Sequence, residues 1–277
     1  MKYRKILTIQ DISCVGQCSM TVGMPLMSAC GLETCILPSA VLSTHTGGFS
    51  FPAIRDLTDD LPGFVAHWKK EGITFEGICT GYLGSTRQIA MVREILENMV
   101  VENGKTVVDP AMADHGKLYA GFDDAYVQAM KGLCAAADII VPNLTEACLL
   151  ADMPWKEDMP REEILAVVEK LHALGMKCVV LTGIGDKPGD TGALISAEGK
   201  IQTYSRPHVG KNFHGTGDIF TAVFFGALMQ EKSLLESAAL AAEFTARAVE
   251  ATLDDPDHWY GVKFETVIPW LTRELFP

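Results

Sequence analysis

The sequence predicts a three-layer α/β fold, in which a mostly parallel central sheet is covered by helices on both faces. Short apolar runs alternate with helical patterns along the chain, as in doubly wound sheets. The runs are apolar on both sides, which is typical of strands buried on both faces. With 277 residues, 48% of them hydrophobic, the chain can bury a large core. No linker, low-complexity tract or internal repeat interrupts it, so we expect one domain over residues 1–277.

The predicted strands are short apolar segments that end at glycine, proline or polar residues. Pro38 interrupts the second strand, which favours an edge position or a break there. Glu198 and Gly199 separate the last two strands, which we expect to pair as an antiparallel hairpin. In chain order the predicted strands cover residues 5–9, 34–42, 77–80, 106–109, 138–141, 178–181, 191–196 and 200–204.

The predicted helices begin at capping residues, and several end at glycine. Ser19 is the expected cap of the first helix, which follows a loop over residues 10–18. Ser85 and Gln88 form a capping-box pattern that opens a long amphipathic helix reaching Gly104. In chain order the predicted helices cover residues 19–30, 60–70, 85–103, 126–133, 143–146, 161–174, 219–229, 234–253 and 267–275.

The composition restricts the class of partner. A net charge of −12 and a pI of about 5.0 argue against binding to nucleic acid or an anionic membrane. No apolar run reaches the roughly 18 residues of a membrane-spanning helix. The eight cysteines lack paired metal-ligand spacing, so we expect free thiols in a reducing cytoplasm.

Polar or glycine residues gather where five predicted strands end. In open parallel sheets, ligands bind at the carboxyl ends of the strands. Each residue alone could be a helix cap or a turn former, but five such strand ends together indicate an active site. The residues are Gln10 with Asp11, Tyr82, Asp109 with Asp114, Asn143 with Glu146, and Thr182 with Gly183.

Residues 214–218, His-Gly-Thr-Gly-Asp, directly precede an apolar helical run. The start of a helix leaves about four backbone N–H groups without intrahelical partners. Together with the helix dipole, these donors favour a bound phosphate. A glycine turn whose acid only favours the dipole explains the same residues equally well.

Two further carboxylates favour phosphate binding over a simple glycine turn at residues 214–218. Asp109 and Glu146 could hold a hard cation such as magnesium together with water and substrate phosphates. A phosphate cradle beside a magnesium site predicts phosphoryl transfer from a nucleotide, with Asp218 receiving the proton of an acceptor hydroxyl.

At these residues the chain resembles the pyridoxal kinases of the ribokinase-like superfamily. The phosphate loop of that family, Gly-Thr-Gly-Asp followed by an apolar pair, matches residues 215–220. The other matches, in family order and spacing, are Ile-Gln at 9–10, Thr-His-Thr-Gly at 44–47, Thr-Gly-Tyr at 80–82, Asp-Pro-Ala-Met-Ala-Asp at 109–114 and Pro-Asn-Leu-Thr-Glu at 142–146. Thr-His-Thr-Gly combined with Gly-Thr-Gly-Asp favours pyridoxal kinases over sugar kinases.

The resemblance implies ATP-dependent phosphorylation of the 5′-hydroxyl of pyridoxal, pyridoxine and pyridoxamine. Asp218 would be the base, in an anion hole formed by Gly215, Thr216 and Gly217. The implied substrate-binding residues are Gln10, Asp11, Thr46 and Tyr82. The implied ATP-binding residues are Asp109, Asn143, Glu146, Thr182 and Gly183, of which Asp109 and Glu146 also belong to the magnesium network. A monovalent cation such as potassium is often used in this superfamily, and we expect a homodimer.

Alternatives remain open at this point. Asp11 stands where many pyridoxal kinases carry serine, and a carboxylate prefers a donor or a cation, so the preferred B6 vitamer is undetermined. The same phosphate machinery would serve a kinase of hydroxymethylpyrimidine, of a sugar or of a nucleoside. A non-catalytic B6-binding sensor is a different class, although a mere binder needs no base at Asp218. His45, between two threonines, either contacts ligand or is structural.

Overall fold

The computed structural model describes residues 2–211 and 213–277. Its strands, in chain order, are β1 (Lys5–Ser13), β2 (Glu33–Leu42), β3 (Ile54–Asp56), β4 (Phe75–Thr80), β5 (Val100–Val108), β6 (Ala113–Asp114), β7 (Lys117–Leu118), β8 (Ile139–Ile140), β9 (Cys178–Thr182), β10 (Asp190–Ala197) and β11 (Lys200–Pro207). Nine of them form one sheet in the order β11-β10-β9-β8-β5-β4-β1-β2-β3, while β6 and β7 form a separate hairpin.

The central part of the sheet is parallel. β1 pairs in parallel with β2 and β4, and the parallel pairing continues through β5, β8 and β9. β3 at one edge and β10 and β11 at the other run antiparallel to their neighbours. The direction of winding reverses between β1 and β4, which creates the crevice where ligands bind in such sheets.

Helices cover both faces of this sheet. In chain order they are α1 (Met20–Ala29), α2 (Leu61–Lys70), α3 (Thr86–Asn98), α4 (Asp124–Ala136), α5 (Leu144–Ala151), α6 (Arg161–Ala173), α7 (Thr216–Met229), α8 (Leu234–Glu250) and α9 (Ile268–Leu275). A 3-10 turn, Phe264–Val267, precedes α9. Among the described residues, no helix is long and apolar enough to cross a membrane.

Two apolar cores lie between these layers. One joins α1, α7, α8 and α9 to the sheet through side chains such as Val22, Phe224 and Phe244. The other joins α3, α4, α5 and α6 to the opposite face through side chains such as Ile95 and Leu171. The predicted three-layer α/β architecture is therefore confirmed.

The first strand is longer than predicted. β1 continues through Ser13, so Gln10 and Asp11 lie within the strand rather than in a loop after it. A bulge between Gln10 and Ile12 preserves the pairing with β2. Pro38 faces Gln10 at this bulge, where a missing N–H donor is tolerated. β3 pairs only with residues 40–42 of β2, so among the described strands the outer side of β2 has no partner at Pro38, as the predicted edge position or break requires.

Two helix predictions also need correction. α3 ends at Asn98, whereas the sequence predicts a helix up to residue 103. Residues 100–103 belong to β5 instead. The β-branched Val100 and Val101 favour a strand, and Asn103, with a φ of 65°, accompanies a register shift against β4. Ser19 does precede α1, but its side chain makes no capping hydrogen bond and is hydrogen-bonded to Asp11 instead.

Candidate active site

The start of α7 is built around Gly215. This residue has a φ of 80°, in the left-handed region that favours glycine. A Cβ on Gly215 would overlap the carbonyl oxygen of Gln17, so the loop before α1 fits only against a glycine. No heavy atom lies within 4 Å of the position that a Cβ would take on Gly217. The first turn of α7 thus borders open space, as an anion-binding helix start requires.

Asp218 lies in this first turn and is half-buried. Its carboxylate accepts a hydrogen bond from the backbone N–H of Ser19. Burial, followed by the negative charge of Asp109 and a smaller effect of Asp11, raises the pKa of Asp218 to about 7. A general base is most effective when its pKa lies near the working pH, so this carboxylate is suited to accept a proton.

Asp109, directly after β5, is the second carboxylate of the site. Its Oδ1 accepts the backbone N–H of Ala111 at 3.1 Å, and its Oδ2 accepts the hydroxyl of Thr221 at 2.7 Å. Thr221 lies one turn after Asp218 on α7, so the same helix carries one carboxylate and holds the other. Burial raises the pKa of Asp109, against these hydrogen bonds.

Glu146 is the third carboxylate and lies in the first turn of α5. Asn143 and Glu146 form a reciprocal capping box, in which Glu146 Oε2 accepts the N–H of Asn143 at 2.9 Å. Its Oε1 accepts the N–H groups of Met112, at 3.0 Å, and Ala113, at 3.4 Å. Burial and the charge of Asp109 raise the pKa of Glu146. This residue therefore both caps α5 and places a buried carboxyl group in the site.

A cavity of about 530 Å³ connects these groups. Its lining includes the start of α7 over residues 215–218 and the apolar side chains of Val209, Phe213, Ala242, Ala246 and Val249. Nine residues predicted to act in catalysis or nucleotide binding line it: Asp109, Asn143, Glu146, Thr182, Gly183, Gly215, Thr216, Gly217 and Asp218. The structure thus brings together the predicted nucleotide-side and catalytic residues.

The four predicted substrate residues, Gln10, Asp11, Thr46 and Tyr82, do not line this cavity. Gln10 Nε2 donates to the hydroxyl of Thr8 at 2.9 Å. Asp11 is 4% exposed and accepts the hydroxyl of Ser13 at 2.9 Å. The Asp11 charge, after burial, helps to raise the pKa of Tyr82.

The remaining two of these residues differ in their surroundings. Tyr82 is half-buried and stacks on Phe122 with ring centroids 5.5 Å apart. Thr46 is exposed on the loop after β2. We refer to Gln10, Asp11, Thr46 and Tyr82, which lie outside the cavity lining, as the predicted acceptor side.

Sequence reasoning missed several contacts that build the acceptor side. The carbonyl of Tyr260 accepts a hydrogen bond from His45 Nε2 at 2.8 Å. Trp259 packs on Phe49 with ring centroids 4.6 Å apart. These partners are more than 200 residues apart in the chain, so no local sequence pattern predicts their contacts. The only signal is the high density of glycines and aromatic residues in both loops.

Asp109 and Glu146 are the candidate magnesium ligands of the site. Among the described residues, no group of three or more His, Cys, Asp or Glu side chains could hold a metal by itself. Asp109 and Glu146 are buried, carry raised pKa values and have no cationic partner among their hydrogen bonds. Carboxylates of this kind fit magnesium, which keeps several waters and uses one or two carboxylates plus phosphates.

The fold and the α7 site are those of small-molecule kinases with a ribokinase-like architecture. Residues 65–261 match the sequence model of the phosphomethylpyrimidine kinase family. Pyridoxal kinase from Sus scrofa is 30% identical over 79% of this chain and 73% of its own length. The chain therefore belongs to the pyridoxal kinase family within the ribokinase-like superfamily, and it is a kinase.

Solved structures agree with this assignment. Pyridoxal kinase from Lactobacillus plantarum is 31% identical, with a TM-score of 0.90 over 98% of this chain and 97% of that one. A Bacteroides thetaiotaomicron protein named as a phosphomethylpyrimidine kinase, in a crystal form with pyridoxal, is 36% identical. It has a TM-score of 0.91 over 98% of this chain and 96% of that one.

Proposed function

We propose that this chain transfers the γ-phosphoryl group of ATP to the 5′-hydroxyl of pyridoxal, and of pyridoxine and pyridoxamine, for vitamin B6 salvage. One observation carries the proposal. Asp218 lies in the first turn of α7, next to the open space at Gly217, and lines the same cavity as Asp109 and Glu146. A carboxylate with a pKa of about 7 at that helix start can accept the proton of a hydroxyl that attacks a phosphate held there.

The proposed reaction uses groups of this chain at each step. Asp218 accepts the proton of the 5′-hydroxyl as the oxygen attacks phosphorus. The N–H groups at the start of α7, over residues 215–217, stabilise the charge on the transferred phosphoryl group. Thr221 keeps the Asp109 carboxylate in place through its 2.7 Å hydrogen bond.

ATP would lie along the cavity. The apolar side chains of Val209 and Val249 suit the adenine ring, and the start of α7 at Gly215 suits the phosphates. Asn143, Thr182 and Gly183 would contact the nucleotide. Asp109 and Glu146 would hold magnesium, partly through water, and the ion would supply charge neutralisation for the phosphates. A monovalent cation such as potassium is a further expected cofactor.

The acceptor would lie against Gln10, Asp11, Thr46 and Tyr82. Tyr82 is one layer of an aromatic stack with Phe122, which suits a flat ring. Asp11 offers a buried carboxylate to a donor or cation of the vitamer.

The family match, to phosphomethylpyrimidine kinases, favours a second candidate with a pyrimidine acceptor, and hydroxymethylpyrimidine is the acceptor proposed for it. The two are separated by measuring ATP-dependent phosphorylation of pyridoxal, pyridoxine, pyridoxamine and hydroxymethylpyrimidine side by side. We expect the highest kcat/KM with a B6 vitamer. Turnover of hydroxymethylpyrimidine alone would favour the second candidate, and pyridoxal binding without ATP turnover would favour a B6 sensor.

The assembly and location of the chain also belong to the proposal. We expect one domain, since nine strands, including both β1 and β11, share one sheet, and we expect a homodimer. The edge strand β3 is exposed along its whole length, and Phe51 beside it is 89% exposed. Open edges of this kind invite pairing with another chain. The eight free cysteines suit the reducing cytoplasm, and sedimentation analysis of the purified protein tests the dimer.

A further inference from the structure

His45 is buried at the meeting point of loops that surround the acceptor side. Only 4% of the surface of His45 is exposed. Its ring lies edge-on to Phe49, with centroids 4.9 Å apart, and 5.4 Å from the ring of His214. Gly16 passes so close that a Cβ there would overlap the imidazole.

Both ring nitrogens of His45 are used within the protein. Nδ1 accepts the backbone N–H of Gly47 at 3.1 Å. Since an acceptor nitrogen carries no proton, the proton must be on Nε2, which donates to the carbonyl of Tyr260 at 2.8 Å. Burial lowers the pKa of His45, in agreement with a neutral ring.

These contacts link three loops. The loop over residues 43–50 carries Thr46 between His45 and Gly47. The loop over residues 255–263 carries Tyr260, whose carbonyl also accepts the N–H of Gln17 at 3.5 Å. The loop over residues 14–18 leads to Ser19, whose N–H holds Asp218.

We propose that His45 is a positioning residue, which fixes Thr46 and Gly47 relative to Asp218 as a neutral imidazole and does not contact the acceptor. No ring nitrogen remains for a substrate, because each already has a partner in the protein. The inference rests on the proposed function, since it identifies how that acceptor side is held in place.

The first test is kinetic. His45→Phe retains an aromatic ring but removes both hydrogen bonds, and His45→Asn retains an acceptor near the position of Nδ1. We expect His45→Phe to raise the KM for pyridoxal about tenfold, as expected for the loss of two ordinary hydrogen bonds, with the KM for ATP within about twofold. His45→Asn should recover part of the loss. His67→Ala, on the exposed face of α2, is the matched control and should change neither constant.

A rise of both KM values, or a wild-type KM in His45→Phe, would overturn the inference. If wild-type protein phosphorylates no B6 vitamer, the proposed function fails, and the inference is then judged by the second test alone.

That test needs neither turnover nor a folded variant. Nitrogen-15 NMR of wild-type protein labelled at its histidines reports which ring nitrogen carries the proton. We expect His45 to be protonated only at Nε2, with the same two nitrogen shifts before and after addition of pyridoxal. A change of tautomer, or a shift of either nitrogen typical of a new hydrogen bond to pyridoxal, would show contact with the acceptor and would contradict the positioning role.

Discussion

At the scale of single residues, Asp218 is the group whose environment most directly determines chemistry. Asp218→Asn keeps the size of the side chain and removes the proton acceptor. We expect the turnover rate to fall by about 10²–10⁴-fold, the usual contribution of general-base catalysis. Nucleotide binding should remain, because the N–H groups of α7 are unchanged. Steady-state kinetics and ADP titration calorimetry measure the two effects.

The pH dependence provides a control on the same residue. With a pKa of about 7, Asp218 is protonated below that pH and cannot accept a proton. The wild-type rate should therefore rise through pH 7 and then level off. If Asp218→Asn retains more than about a tenth of the rate, another group is the base.

Asp11 is the second residue-scale case. Its hydrogen-bonding partners are the hydroxyls of Ser13 and Ser19, while its neighbour His45 is neutral. A buried carboxylate without a cation is costly, so a substrate that brings a donor is favoured. If Asp11 faces the 4-substituent of the ring, it favours pyridoxamine and pyridoxine over pyridoxal. Asp11→Ser should then shift the preference towards pyridoxal, by about 1–3 kcal/mol for a charged hydrogen bond.

The measurement is the ratio of kcat/KM values among the three vitamers in wild type and Asp11→Ser. Contact with the ring nitrogen or with the 3-hydroxyl would change all three constants by a similar factor, because those groups are common to the vitamers. Unchanged ratios would reject the selectivity while leaving the kinase assignment intact.

At the scale of elements, the start of α5 serves two purposes at Glu146. Glu146→Gln removes a charge and disturbs the capping box with Asn143. We expect more magnesium to be needed for half-maximal rate, a lower melting temperature, and little change in pyridoxal binding. Magnesium titration and thermal unfolding measure these effects.

α8 provides a matched control, because Ser233 and Glu236 form the same kind of capping box at an exposed helix start. Glu236→Gln should lower stability without changing the magnesium requirement. An equally unaltered magnesium titration in Glu146→Gln would leave Glu146 with a capping role alone.

Elements also show how far sequence reasoning reaches. α6 and β9 are predicted to within a residue or so because their apolar periodicity and flanking residues agree. The predicted end of α3 is wrong, because the helical periodicity continues into Val100 and Val101, which belong to β5. Pairing of β5 with β4 stabilises the strand conformation there. Local patterns cannot weigh such tertiary pairing.

In the candidate site, too, local sequence patterns predict some contacts, whereas others depend on tertiary packing. Nine predicted residues meet in one cavity because their motifs follow strand ends that a parallel sheet brings together. The partners of the acceptor side are Ser19 for Asp11 and Tyr260 for His45. They depend on loop packing between distant segments, which spacing alone does not specify.

At the scale of the whole molecule, the three carboxylates of the site link stability to pH. Asp109, Glu146 and Asp218 all have pKa values raised above their ordinary range in the folded state. Between their ordinary and raised values, the folded state binds more protons than the unfolded state. The free energy of unfolding must therefore fall as pH rises from about 4 to about 7 for Asp218, because its slope follows the difference in bound protons.

His45 acts in the opposite direction, since its lowered pKa makes the unfolded state bind more protons near neutral pH. One imidazole opposes these three carboxylates and Asp11, whose pKa burial also raises, so we expect the melting temperature of the ligand-free protein to decrease from pH 5 to pH 8. Magnesium with ADP should reduce this decrease, because the cation compensates the buried charge. Scanning calorimetry with and without both ligands, on wild type and Asp218→Asn, measures it. A slope equally steep in Asp218→Asn would mean that Asp218 is not the group that loses its proton in this range.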